Sequence, residues 1–162
     1  MLTIHKTNGE KVLNPKRFHP FCWIDLISPT PEEIKKVSSL IDISEDILAS
    51  IKDIDEIPKF EKYDDFYFIL IQSPHVITEE EQEDSVSGDY SVAPLGILYT
   101  DKYLITISEG RNDVVNYLKL KLKNFNHNHI VSTENIPQFI LKLLLFTSKI
   151  YLRYLKVINN NK

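Results

Sequence analysis

The sequence predicts an α/β (α+β) domain in which a mixed parallel and antiparallel sheet is sandwiched between helices. Three observations lead there. Strand-like and helix-like segments follow the order strands, two helices, strands, two helices, so hairpins and helical crossovers both occur. Residues 21–27 (F-C-W-I-D-L-I) are apolar almost throughout, as a mostly buried strand is. Residues 136–147 carry Ile136, Phe139, Ile140, Leu143, Leu144 and Phe146 or Thr147 at the spacing of a helix with a wide apolar face.

Residues 2–14 read as a β-hairpin. Leu2 and Ile4 alternate with polar residues, Asn8-Gly9 supplies a turn that needs positive φ, and residues 11–13 return. Strand 21–27 follows a proline-containing loop. Thr30-Pro31-Glu32-Glu33 then starts a helix: Thr30 is the N-cap, Pro31 occupies the first turn where a missing N–H costs nothing, and Glu33 completes a capping box. That helix is expected to reach about Leu40. Ser44 caps a second helix carrying Ile47, Leu48 and Ile51, and Pro58 ends the acidic stretch behind it.

Residues 59–63, a turn at Asp64-Asp65 and residues 66–77 form a second hairpin, whose F-Y-F-I-L-I run suits a central strand. Residues 79–84 are an acidic loop with little apolar surface to bury. Strands 91–100 and 103–108 join at Asp101-Lys102. Asn112 or Asp113 opens an amphipathic helix with Val114, Val115, Leu118 and Leu122 on one side, and residues 124–129 form a polar loop. A final helix runs from Thr133 towards Asn159, with Pro137 in its first turn.

The 162 residues, 43% hydrophobic and 26% charged, fit one globular domain spanning 1–162. The single cysteine, Cys22, excludes an internal disulfide and a multi-cysteine zinc site, and suits a reducing compartment. No apolar stretch of signal-peptide type follows Met1. The most apolar run, 139–155, is interrupted by Lys142, Lys149 and Arg153 and falls short of the ~20 apolar residues of a membrane-spanning helix.

Charge is uneven. Residues 1–110 hold 10 Lys+Arg against 21 Asp+Glu, whereas residues 111–162 hold 9 against 2, and no acid occurs from Asn135 to Lys162. A basic end of this kind is expected to meet something anionic: the acidic body of the domain, another subunit, nucleic acid or a membrane surface.

Several signatures coincide along the chain. Trp23-Ile24-Asp25-Leu26 precedes Pro29-Thr30-Pro31-Glu32-Glu33. A short helix, an acidic link and Pro58-Lys59-Phe60-Glu61-Lys62-Tyr63-Asp64-Asp65-Phe66-Tyr67-Phe68-Ile69 come next. Pro94-Leu95-Gly96-Ile97-Leu98 leads into Tyr103-Leu104-Ile105-Thr106-Ile107. In order and spacing this resembles the cytoplasmic N-terminal domain of the CorA family of divalent-cation channels, over nearly the whole chain.

The resemblance implies an α-β-α sandwich that precedes a stalk helix and two membrane helices, in a homo-oligomer of five subunits at the cytoplasmic face of the cell membrane. The family's Gly-Met-Asn pore tripeptide does not occur here, because the only methionine is Met1. The expectation is therefore a soluble piece cut before the stalk and membrane helices, or a relative lacking the membrane part. The ion implied is Mg2+, with Co2+ or Zn2+ as alternatives, as a regulatory or transported ion. At the family's Glu-Asp sensing pair this chain has Ala49 and Ser50, and its final helix carries no acid. Magnesium takes oxygen ligands, chiefly carboxylates. Asp46, Asp53, Asp55 and Glu56 are the nearest substitutes, to be weighed against a solvated acidic face.

Other constellations are bland. His127 and His129 share a polar loop without a nearby cysteine or carboxylate. Cys22 sits in an apolar strand, which favours a packed thiol over a nucleophile. Gly88, Gly96 and Gly110 are isolated, so no phosphate-cradling loop is evident. Lys119, Lys121 and Lys123 recur every second residue, which does not keep them on one helical face, and nucleic-acid binding is not expected. The sequence thus points to a non-enzymatic regulatory domain of a divalent-cation channel. The alternative is a free-standing ligand-binding or enzymatic α/β domain, recognisable by a concave pocket with convergent polar groups.

Overall fold

The computed structural model describes residues 1–8, 11–77, 90–123 and 132–160. Seven strands and four helices follow one another: β1 (Leu2–Asn8), β2 (Lys11–Leu13), β3 (Cys22–Ile27), α1 (Pro31–Val37), α2 (Glu45–Lys52), β4 (Lys59–Lys62), β5 (Tyr67–Val76), β6 (Tyr90–Tyr99), β7 (Tyr103–Ser108), α3 (Asp113–Lys123) and α4 (Ile136–Asn160). The strands form one sheet in the order β2-β1-β3-β7-β6-β5-β4. Among the described residues, only β3 and β7 pair in parallel, in the register Cys22–Tyr103 to Ile27–Ser108; the other neighbours are antiparallel. The mixed sheet between helix layers predicted from the sequence is thus observed.

The period-2 alternation of the strands divides the core. Cys22, Ile24 and Leu26 of β3, with Ile105 and Ile107 of β7, join Val37, Ile47 and Ile51 under α1 and α2. Trp23 and Leu104 point to the opposite side, where Val114, Val115, Leu118 and Leu122 of α3 meet Phe139, Ile140, Leu143 and Phe146 of α4. β3 is buried on both faces, which is why its sequence is apolar at nearly every position. Burial also pushes the Cys22 thiol above its usual range, in keeping with a packed cysteine.

β3 is fastened to β7 at both ends. Phe21 N–H donates to Lys102 O at 2.6 Å and Ser28 N–H to Ser108 O at 2.8 Å, while Ser28 Oγ donates to Glu109 O. Phe21 and Ser28 both have positive φ, 59° and 42°. Side chains are uncommon there, so these two bonds hold the backbone where it turns into and out of the strand. Gly96 of β6 lies under α2. A Cβ at this position would meet Ile51 Cδ1 at 2.5 Å, so the missing side chain lets the helix approach the sheet.

Helix starts follow the sequence logic with two shifts. Thr30 and Glu33 form the capping box, and Ser44 Oγ accepts from Ile47 N–H. α1 stops at Val37, short of Leu40, where Ser38 Oγ donates back to Ile34 O and Leu40 N–H turns to Val37 O. α4 starts at Ile136 under Asn135, whose Oδ1 accepts from Gln138 N–H, rather than at Thr133. Thr133 instead exchanges reciprocal bonds with Thr7 of β1: Thr7 N–H to Thr133 Oγ1 at 2.9 Å and Thr133 N–H to Thr7 Oγ1 at 2.8 Å. The expected turn at Gly9, the acidic segment 79–84 and the histidines His127 and His129 lie outside the described residues.

Candidate functional site

The acidic corner of the chain is built by the end of α2, the link behind it and β4. Asp46 is exposed in the first turn of α2, where a carboxylate complements the helix dipole. Asp53 caps the other end; its Oδ1 accepts from Asp55 N–H at 3.0 Å, an Asx turn that fixes the link. Glu56 lies 3.5 Å from Lys59 Nζ. The same ammonium is 3.6 Å from Glu61 and donates to Ser50 Oγ at 3.0 Å.

Ala49 and Ser50, the positions singled out in the sequence, are exposed and buried respectively. Lys59 therefore sets a fixed positive charge between Ser50, Glu56 and Glu61, which opposes capture of a dication at Glu56. Asp53 and Asp55 share one turn, whereas Asp46 stands at the far end of the helix. Among the described residues, no group of three or more His, Cys, Asp or Glu side chains is placed to hold a metal ion.

A second polar cluster was not legible as a site. Asp25 of β3 is fully buried, and Lys119 of α3 reaches it at 2.5 Å from Oδ2. Thr106 Oγ1 donates to Asp25 Oδ1 at 2.7 Å and accepts from Trp23 Nε1 at 2.9 Å. Trp23, Thr106 and Asp25 Oδ1 are thus joined in one hydrogen-bonded row, and Asp25 Oδ2 faces the Lys119 ammonium, as a buried charge requires. The cluster bolts α3 onto the parallel β3–β7 pair. A lone acid in the apolar run F-C-W-I-D-L-I was the one signal for it, and Lys119 turns inward to meet it. Lys121 instead lies over the Tyr117 ring at 5.0 Å.

This arrangement, a seven-stranded mixed sheet between two helical layers with a 25-residue final helix, is a fold shared with two solved soluble domains. The soluble domain of CorA from Methanocaldococcus jannaschii superposes with a TM-score of 0.76 at 24% identity, over 99% of this chain and 61% of that one. The ZntB cytoplasmic domain from Vibrio parahaemolyticus gives 0.72 at 11% identity, over 98% of this chain and 62% of that one.

In sequence, the family described as CorA-like Mg2+ transporter protein matches residues 19–162. The cobalt/magnesium transport protein CorA of Methanocaldococcus jannaschii is 31% identical over 133 residues. The chain belongs to the CorA family. It spans 82% of its own length in that match but 38% of the relative's. Among the described residues no helix is long and apolar enough to cross a membrane.

Proposed function

We propose that this chain is the cytoplasmic regulatory domain of a CorA-like divalent-cation channel, acting on Mg2+ with Co2+ or Zn2+ as alternatives. The observation that carries this reading is the match of residues 19–162 to the CorA family, supported by the superposition of this fold on the soluble domain of CorA from Methanocaldococcus jannaschii. The whole protein is a homo-oligomer, five subunits by family resemblance, whose membrane helices lie beyond this single domain of residues 1–162.

Regulation follows from linkage: a cation that binds one arrangement of subunits better than another shifts the population towards it. In this chain the carboxylates nearest to such a role are Asp46, Asp53, Asp55 and Glu56. With Ala49 and Ser50 in place of an acid pair, and Lys59 beside Ser50, any such site responds weakly to magnesium.

The test is the reading frame beyond Lys162, followed by fractionation of cells expressing its full product. Two apolar segments of membrane length with Gly-Met-Asn between them, and a product that sediments with membranes, support the reading. A product without such segments, recovered free of membranes and without a membrane partner, contradicts it.

A further inference from the structure

Between α3 and α4 lies a groove of about 550 Å³, in the size range of small-ligand pockets. Its rim holds three cations: Arg111 ahead of α3, and Lys149 and Arg153 on successive turns of α4. One carboxylate, Asp113, lines it, and that carboxylate is already engaged. Tyr154 Oη donates to its Oδ2 at 2.8 Å, Val76 N–H donates to the same oxygen at 3.2 Å, and Arg111 Nε lies 3.5 Å from Oδ1. Among the described residues no carboxylate lies within ion-pair distance of Lys149 or Arg153, and both are exposed.

The groove is therefore cationic. The first turn of α3 adds the positive end of its dipole to the same place. The walls are not only charged: Tyr117, 37% exposed, rests edge to face at 5.0 Å on the buried Phe146, whose ring lies under Lys149 Nζ, so Tyr117 is the aromatic surface beside the cations. Charge on the rim and rings on the wall are what a ligand with an anionic head and a flat or apolar body requires. This gives the basic C-terminal third of the sequence a definite anionic counterpart.

We infer that the α3–α4 groove binds a small phosphorylated organic anion with an aromatic body, its phosphates held by Arg111, Lys149 and Arg153 and its ring against Tyr117. This site is separate from the acidic corner at α2 and β4, and does not depend on the transport reading.

Calorimetric titration of the 162-residue chain with ATP tests it, alongside adenosine, inorganic phosphate and phosphatidylglycerol vesicles. Saturable ATP binding is expected, with adenosine and phosphate each weaker. The paired change Lys149→Glu and Arg153→Glu, at exposed positions, is expected to weaken ATP by more than about tenfold, because two charge-assisted contacts become repulsive. Its melting temperature reports that the fold is intact. Lys35→Glu with Lys36→Glu, on α1, is expected to leave binding unchanged. Absence of saturable ATP binding overturns the inference. So does equal binding of adenosine, equal loss in the α1 variant, or binding of anionic vesicles without ATP binding, which would make the groove a membrane contact.

Discussion

Lys119 Nζ lies 2.5 Å from Asp25 Oδ2, and Asp25 has no solvent exposure. An ion pair in this position is strongly asymmetric under mutation. Removing one partner leaves a buried charge uncompensated and costs about 3–5 kcal/mol, whereas replacing both by apolar groups is often close to neutral. Lys119→Met is therefore expected to lower unfolding stability by about 3 kcal/mol in urea. The double variant Asp25→Leu with Lys119→Met should recover most of that loss. A single variant as stable as the parent would show that the pair does not secure α3.

Gly96 gives a steric test of the helix–sheet approach. Gly96→Ala puts a methyl 2.5 Å from Ile51 Cδ1 and 2.8 Å from Cγ1, both in a core residue that is 1% exposed. Overpacking of this kind costs about 1–3 kcal/mol. Ile51→Val removes Cδ1 and is expected to rescue part of the loss in the double variant, read from the same denaturation midpoints.

Tyr154 provides a pH signature. Burial first, then its hydrogen bond to Asp113, push its phenol up to about 12. The unfolded phenol titrates at about 10. Because the folded value is the higher one, the stability linked to this proton is fully present below about pH 10 and is lost as pH rises towards 12. Thermal unfolding between about pH 9 and pH 12 should show this fall, and Tyr154→Phe should remove its part of it. An identical pH profile in that variant would contradict the assignment.

Magnesium should stabilise this chain little. Lys59 fills the space between Ser50, Glu56 and Glu61, and no cluster of three ligands occurs among the described residues. With a dissociation constant no tighter than 10 mM, 10 mM Mg2+ contributes at most about 0.4 kcal/mol by mass action. That corresponds to a melting shift of about 1–2 °C for a chain of this size. A shift several times larger, abolished by Asp53→Asn with Asp55→Asn, would show that these acids replace the lost pair.

The parts of the fold written in local chemistry were legible from sequence. The capping box of Thr30 and Glu33, the two-sided burial of β3 and the turn at Asp101-Lys102 each follow from residues a few positions apart. The limits of α1 and α4 were less so. Ser38 and Asn135 decide them through single hydrogen bonds, and Thr133 is diverted by Thr7, 126 positions away. Long-range partners explain the rest. Asp25 looked like a lone acid in an apolar strand until α3 brought Lys119 to it across 94 positions of chain. The groove cations looked like a diffuse charge excess until α3 and α4 placed them on one rim.

Residues 1–162 are proposed to govern a divalent-cation pathway. The most direct measurement is Mg2+ flux through the product of the full reading frame in dye-loaded proteoliposomes, with and without residues 1–162. Mg2+ entry down its gradient is expected, with a changed dependence on divalent cation at the domain's side when those residues are removed. An absence of divalent-cation flux, or a flux indifferent to the domain, would contradict it.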